Sequence, residues 1–356
     1  MKRSVFVIGT TAEWIKIQSV VEMLPAEKVV LVNSGQHASL QNVLQGKEFQ
    51  IVSLWGKDFK GLSSLGGALI WYLRSFLKLN KILKVITDTD PKMDSVVVVH
   101  GDTITSLLGS MCSKVCSLQT LHIEAGLRSG KMLHPFPEEL VRRLVSKFAQ
   151  IHFAPDSVAV KNLSKNSGLT VNTFGNTFVD SYIPMIVNML SEEDETPMEQ
   201  FAIVSLHRQE LIHNRELVAK LLKLIAARSI TMKFVVIVDD QFARVFNDLE
   251  SQMNTQFITI VPKLPHKDFV RLCTQAQFVV TDSGGTQEEN AILGVPTLIF
   301  RKATERMDGI GKNIVLCPWN LQELDYFLES YSKYKRGIEF PLGSPSKTIA
   351  QIIREL

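Results

Sequence analysis

The sequence predicts an α/β protein made of two doubly wound, parallel-sheet domains. Three observations carry that expectation. Short β-branched apolar runs recur with amphipathic stretches between them, the alternation that specifies parallel strands joined by crossover helices. An acidic, polar segment interrupts the alternation near the middle of the chain. The length, 356 residues, exceeds what one hydrophobic core usually organises, so two domains of roughly 150–180 residues are expected.

The elements follow in order. SVFVIG (4–9) reads as the first strand, and AEWIKIQSVVEML (12–24) as the helix after it, with Ile15, Val20 and Leu24 joined by Ile17 and Met23 on a broad apolar face. KVVLVN (28–33), FQIVSL (49–54), SVVVVH (95–100), QTLHIE (119–124), QIHFAP (150–155) and LTVNTFG (169–175) continue the strand series. Runs such as VVVV and LHI are short, largely apolar and rich in β-branched residues, as strands covered on both faces are. DSYIPMIVNMLSEEDETPMEQ (180–200) has an acidic, polar second half containing proline and is the best linker candidate, so the domains are expected at 1–178 and 179–343. A second series runs through FAIVSLH (201–207), FVVIV (234–238), FITIVP (257–262), FVVTDSGG (278–285) and TLIFR (297–301). Two such halves form Rossmann-like domains facing one another across a cleft. SPSKTIAQIIREL (344–356) reads as a closing helix, and its periodicity leaves open whether it packs on the second domain or returns to the first.

Bulk properties exclude several function classes. Lys and Arg number 39 against 36 Asp and Glu, and a net charge of +3 is too small to argue for nucleic acid, although a local basic pocket for a phosphate is compatible with it. Cys112, Cys116, Cys273 and Cys317 show no metal-site spacing and read as apolar core residues in a reducing compartment. The run after Met1-Lys2-Arg3 is too short for a signal peptide and lacks a cleavage site. LGGALIWYL (65–73), interrupted by Arg74, falls short of the ~20 residues a membrane-spanning helix needs. A soluble, cytoplasmic protein is expected.

Asp102, Glu124 and Glu138 stand out by placement. The first two end the strands VVVV-H-G and LHI, and the third lies in HPFPEELVRRL (134–144). Open α/β sheets bind ligands at the carboxyl edge of their strands, so three carboxylates delivered there look like acid–base machinery rather than a solvated surface. Arg142 lies four residues beyond Glu138 on a helix with Pro137 near its start, where an internal Glu138–Arg142 salt bridge is the plain alternative to a catalytic role. GTTAEWIK (9–16) joins the first strand to a helix, where backbone N–H groups receive an anion; Lys16 reaches a phosphate or an internal carboxylate. FVVTDSGGTQEE (278–289) offers closely approachable N–H donors for a diphosphate at Ser283, Gly284 and Gly285, with a carboxylate one turn on for ribose hydroxyls. Helix capping by Asp282 or Ser283 is compatible with that role. VSLHRQE (204–210) ends a strand with His207 and Arg208, and TERMDGIGKN (304–313) places Glu305 and Arg306 just after another.

HGDT, HIEAGLRSG, PFPEELVRR, FAP, GNTFVD, HRQE, TDSGGTQEE and TER, in this order over nearly the whole chain, strongly resemble the bacterial non-hydrolysing UDP-N-acetylglucosamine 2-epimerases. The resemblance implies a GT-B fold and the interconversion of UDP-GlcNAc and UDP-ManNAc for surface polysaccharide synthesis. It also implies a homodimer and a closing helix that returns to the first domain. By similarity, Asp102, Glu124 and Glu138 match the catalytic acids, and Arg142 and His207 the leaving-group residues. Lys16, Phe269, Ser283, Gly284, Gly285, Glu289 and Arg306 match positions that hold UDP. The chemistry requires no metal and no cofactor.

Two segments depart from the family pattern. Thr11-Ala12 stands where the family usually carries Arg-Pro, which removes a phosphate-facing guanidinium. In SGQHASLQ (34–41), Gln36 and His37 persist, but Ala38, Ser39 and Leu40 replace the polar and basic residues expected in a segment that helps bind an activating second UDP-GlcNAc. Val141 also replaces the usual Asn before the matching Arg. Three other readings are a hydrolysing epimerase releasing ManNAc and UDP, a GT-B glycosyltransferase, and a catalytically silent nucleotide-sugar binder.

Overall fold

The computed structural model describes residues 1–56, 65–88, 94–130, 137–191, 200–250 and 256–356. They divide into two compact units, Met1–Pro184 with Pro341–Leu356, and Met185–Phe340. Each is a fully parallel sheet flanked by helices.

The first unit runs β1 (Arg3–Ile8), α1 (Thr11–Glu22), β2 (Val29–Asn33), α2 (Ser39–Leu44), β3 (Gln50–Ser53), α3 (Leu65–Asp88), β4 (Ser95–His100), α4 (Ile104–Val115), β5 (Gln119–Ile123), α5 (Glu138–Phe148), β6 (Ile151–Ala154), α6 (Ser157–Asn162) and β7 (Leu169–Asn172). Its strand order is β3-β2-β1-β4-β5-β6-β7, so the topology reverses between β1 and β4. Alternate residues explain the apolar runs. Phe6 and Ile8 join Trp14, Ile17, Val20 and Val21 of α1 on one face, whereas Val5, Val7, Val97 and Val99 join Leu79, Leu83, Leu108 and Val145 on the other.

Helix α1 corrects one expectation. Ile15 is 42% exposed, and Trp14, 1% exposed, takes the inward position. The spacing Trp14, Ile17, Val20, Val21 and Leu24 follows the 3.6-residue repeat, which leaves Ile15 about 100° round the helix from Trp14. The last helix of the chain, Pro345–Glu355, packs against α1 in this first unit. Ile349, Ala350 and Ile353 enter the same cluster as Trp14, and the Ser346 N–H donates to Asp180 at 2.7 Å. Ser344 caps the helix through the Lys347 N–H, and Pro345 occupies its first position, where no donor is needed.

Helix α7 (Val179–Ser191) covers the first half of the expected linker, contains Pro184, and includes the point where the units divide. The acidic stretch 192–199 lies outside the described residues. The second unit runs β8 (Phe201–Ser205), α8 (Gln209–Ile212), α9 (Arg215–Arg228), β9 (Lys233–Val238), α10 (Asp240–Glu250), β10 (Ile258–Pro262), α11 (His266–Gln275), β11 (Val279–Thr281), α12 (Gly284–Leu293), β12 (Thr297–Phe300), β13 (Ile314–Cys317) and α13 (Leu321–Ser330), leaving Pro345–Glu355 as α14. Its order, β10-β9-β8-β11-β12-β13, reverses between β8 and β11. The four-residue strand β13 went unread in the sequence because a run as short as IVLC shows no period of its own. Phe234, Phe278, Phe300 and Phe327 dominate this core.

Cys112, Cys273 and Cys317 are buried and Cys116 half-buried, all four as free thiols. Among the described residues no helix is long and apolar enough to cross a membrane, and no group of three His, Cys, Asp or Glu is placed to hold a metal ion.

Candidate active site

The site in the first unit begins where β4 and β5 end. His100 closes β4, Gly101 turns the chain at φ +65°, and Asp102 follows, with Thr103 capping α4 through the Ser106 N–H. A left-handed turn at Gly101 costs little because it carries no Cβ. Glu124, directly after β5, adopts φ +61° with a full side chain. Such a conformation costs on the order of 1 kcal/mol or more and persists only where the surroundings over-determine it.

The surroundings of Glu124 do so. Its carboxylate is buried and accepts from Lys16 Nζ at 2.8 Å and Asn176 Nδ2 at 2.7 Å, both on Oε1. His100 Nε2 lies 3.2 Å from Oε2. Lys16 therefore reaches the internal carboxylate, one of the two destinations its position allowed. Asp102 forms an ion pair with Arg142 from α5. The same guanidinium contacts Glu139 at 3.3 Å, so the expected alternative of a Glu138–Arg142 bridge is replaced by pairing with Asp102 and with the residue three positions back. The reason is the inward face of α5: Glu139 is fully buried, held also by Arg143 at 3.0 Å and the Ser129 N–H at 3.1 Å, and draws Arg142 toward it. Glu138, first residue of α5, keeps a buried Oε2 with no hydrogen-bond partner among the described residues.

Glu13 belongs to this edge and escaped the reading of motifs. Its carboxylate is fully buried and accepts from the Gly9 and Thr10 N–H groups at 2.9 and 2.8 Å and from the Thr103 hydroxyl at 2.7 Å. It thus ties the β1–α1 loop to the loop bearing Asp102. Burial raises its proton affinity, and these hydrogen bonds oppose that rise. The pattern Thr10-x-x-Glu13 is a capping box, which is the signal that marks it in the sequence. His122 Nε2–H donates to the Gly101 carbonyl at 2.8 Å, and burial pushes its pKa down to about 3, so the ring is neutral near pH 7.

The two altered segments meet at this carboxyl edge. Thr11 and Ser39 share a hydroxyl–hydroxyl hydrogen bond of 3.1 Å. Gln36 accepts from Thr105 at 2.8 Å, and the His37 N–H donates to the Gly9 carbonyl at 2.9 Å.

In the second unit, Asp282 organises the switch point between β8 and β11. Its buried carboxylate accepts from the backbone of His207 at 3.1 Å and of Arg208 at 2.9 Å, and lies 3.3 Å from His207 Nδ1. Ser283, rather than Asp282, caps α12, receiving the Thr286 N–H. A pocket of about 370 Å³ opens here, lined by residues including His207, Lys263, Phe269 and Ser283. Arg306 pairs with Glu288 and lies over Gly284, where a Cβ would meet its Nε at 2.9 Å. Glu289 accepts from His266 at 2.7 Å, and this bond raises the proton affinity of His266. Expected residues thus gather in two sets: Lys16, Asp102, Glu124, Glu138 and Arg142 with Gln36 and His37 on the first sheet's edge, and His207, Phe269, Ser283, Gly284, Gly285, Glu289 and Arg306 around α12.

Comparison with known proteins gives a consistent picture. The sequence is 29% identical over 369 residues to UDP-N-acetylglucosamine 2-epimerase of Methanococcus maripaludis, covering 98% of this chain and 97% of that protein. It is 32% identical to the enzyme of the same name from Salmonella borreze, over 87% of this chain and 84% of that one. In fold it matches UDP-GlcNAc 2-epimerase of Methanocaldococcus jannaschii, solved with UDP-GlcNAc and UDP, at a TM-score of 0.78 and 24% identity with both chains fully covered. It also matches the Neisseria meningitidis enzyme bound to UDP-GlcNAc at 0.75 and 25% identity, with 99% of each chain covered. A family model described as UDP-N-acetylglucosamine 2-epimerase matches residues 24–352. Nearly the whole chain is covered by that match, and the protein belongs to the UDP-N-acetylglucosamine 2-epimerase family.

Proposed function

We propose that the protein epimerises C2 of a UDP-2-acetamido sugar, interconverting UDP-GlcNAc and UDP-ManNAc without net hydrolysis. The observation that carries this reading is the set of carboxylates, Asp102, Glu124 and Glu138, delivered by two strand ends and one helix start of a single sheet edge. Family membership supports the substrate class.

The chemistry explains why several carboxylates are needed. The C2 hydrogen is not adjacent to a carbonyl, so a carboxylate cannot remove it unaided. As the C1–O bond breaks and its electron pair leaves with UDP, positive charge at C1 acidifies C2–H. A carboxylate takes that proton, and the C–H electron pair forms the C1=C2 bond of a glycal. Return of a proton to the opposite face of C2 and of UDP to C1 completes the inversion. Asp102, Glu124 and Glu138 form the acid–base set, and Arg142 and His207 stabilise the departing diphosphate. Lys16, Phe269, Ser283, Gly284, Gly285, Glu289 and Arg306 hold UDP; the contact between Lys16 and Glu124 makes Lys16 part of the carboxylate network as well.

The decisive experiment incubates purified protein with UDP-GlcNAc in heavy water and follows it by NMR. Deuterium at C2 of a product that keeps its nucleotide is expected. Absence of C2 exchange refutes the reading, while free ManNAc with UDP identifies a hydrolysing enzyme.

We further propose a homodimer acting in the cytoplasm to supply surface polysaccharide synthesis. The dimer is supported by α3, where Leu69, Ile70, Leu73 and Leu77 are each more than half exposed on an apolar stripe at helical spacing. A reducing compartment is supported by four unpaired cysteines.

A further inference from the structure

We propose that Arg301 contributes to binding the diphosphate of UDP, as a buried positive charge set behind the N-terminus of α12. This rests on the reading of Ser283, Gly284 and Gly285 as the diphosphate seat.

Arg301 directly follows β12 and is 2% exposed. Its Nη2 pairs with Glu305 Oε2 at 3.1 Å, but Nε and Nη1 are buried and have no hydrogen-bond partner among the described residues. Burying a cation with unmet donors is costly, and an aliphatic residue here would fill the same space at less expense. Such a group is kept where its charge has a task.

Its position indicates the task. A Cβ built on Gly284, the first residue of α12, would lie 3.7 Å from Arg301 Nη1 and 2.9 Å from Arg306 Nε. Two guanidiniums therefore lie beside the helix start. Arg208 brings a third to the same strand end, its Nε donating to the Asp282 carbonyl at 2.9 Å, and its charge acts on Arg301. The acidic partners are strung between the cations: Glu305 bonds Arg301 and lies 3.9 Å from Arg306, which in turn pairs with Glu288. This arrangement holds the cations in place against their mutual repulsion. Free first-turn N–H groups and the helix dipole add to the same potential. A guanidinium remains protonated throughout the working pH range, so its charge is permanent. Burial keeps Arg301 from solvent screening.

Isothermal titration with UDP, UMP and uridine tests this on the full-length protein, using Arg301→Met, Arg301→Lys and the double variant Arg301→Met/Glu305→Gln. The double variant removes the ion pair as a unit, so that a failure of the single variant to fold does not decide the matter. Loss of the charge is expected to weaken UDP on the order of tenfold or more while uridine changes by less than about twofold, and lysine is expected to restore most of the difference. Equal losses for UDP and uridine, or unchanged UDP affinity in the neutral variants, overturn the assignment. A wild-type protein that binds UDP no better than uridine instead overturns the diphosphate seat itself.

Discussion

At the scale of single residues, the carboxylates differ in how they are held. Asp102 and Glu124 are braced by cations, whereas Glu138 presents an oxygen that no described residue satisfies. In the proposed reaction this is the acceptor left to exchange protons with the substrate. Glu138→Gln is expected to cut turnover by roughly 10²–10⁴-fold, the usual range for losing a general acid or base, while UDP affinity measured by calorimetry stays near wild type. Ser283→Ala is expected to behave in the opposite sense, with weaker UDP binding and a smaller change in the catalytic constant. A Glu138→Gln protein that binds UDP poorly would move Glu138 from the acid–base set to the nucleotide seat.

At the scale of elements, β5 and β6 carry a buried histidine pair whose titration links pH to stability. His122 and His152 are cross-strand partners, and desolvation lowers the proton affinity of both. For His122 the folded pKa is about 3 against a model-peptide value of 6.5, so the unfolded chain takes up the proton first as pH falls. Stability from this residue is fully present above about pH 6.5 and is lost progressively toward pH 3, by a few kcal/mol in all. Urea midpoints measured at pH 7 and pH 5 are expected to fall in the wild type and to fall less in His122→Gln. Helix α3 supports a second expectation. If the proposed dimer forms through its exposed apolar stripe, light scattering is expected to give a dimer mass for the wild type and a monomer mass for Leu73→Glu, without a fall in melting temperature that would signal a damaged core.

At the scale of the whole molecule, the altered segments bear on control. Leu40 is fully buried in the first unit's core, and Ala38 has no hydrogen-bonding side chain, so two of the three replaced positions offer nothing polar to a second nucleotide-sugar. Thr11 and Ser39 satisfy each other instead. Initial rates are therefore expected to depend hyperbolically on UDP-GlcNAc; a sigmoidal curve would show that Gln36 and His37 suffice for activation. In the first unit Asp102 and Glu124 keep their cationic partners, whereas in the altered segment His37, Ala38 and Ser39 are exposed and Leu40 alone is buried.

The amino-acid order alone determined the two parallel sheets and the acids at their carboxyl edge, because strand burial and helix amphipathicity are written in local periods of two and 3.6 residues. It also marked Asp102 and Glu124, since a charged residue at the end of an apolar strand is visible without coordinates, and Glu138 through its place in HPFPEELVRRL. Periodicity went astray only where it had to choose among neighbouring apolar residues, as with Ile15 and Trp14, or detect a strand as short as β13. Partnerships were the province of the tertiary structure. Lys16 meets Glu124 across 108 positions, Arg142 meets Asp102 rather than Glu138, and α14 lies on α1. Arg301 came to notice only through its burial beside Gly284. Such contacts depend on strand order, which leaves no local trace in sequence.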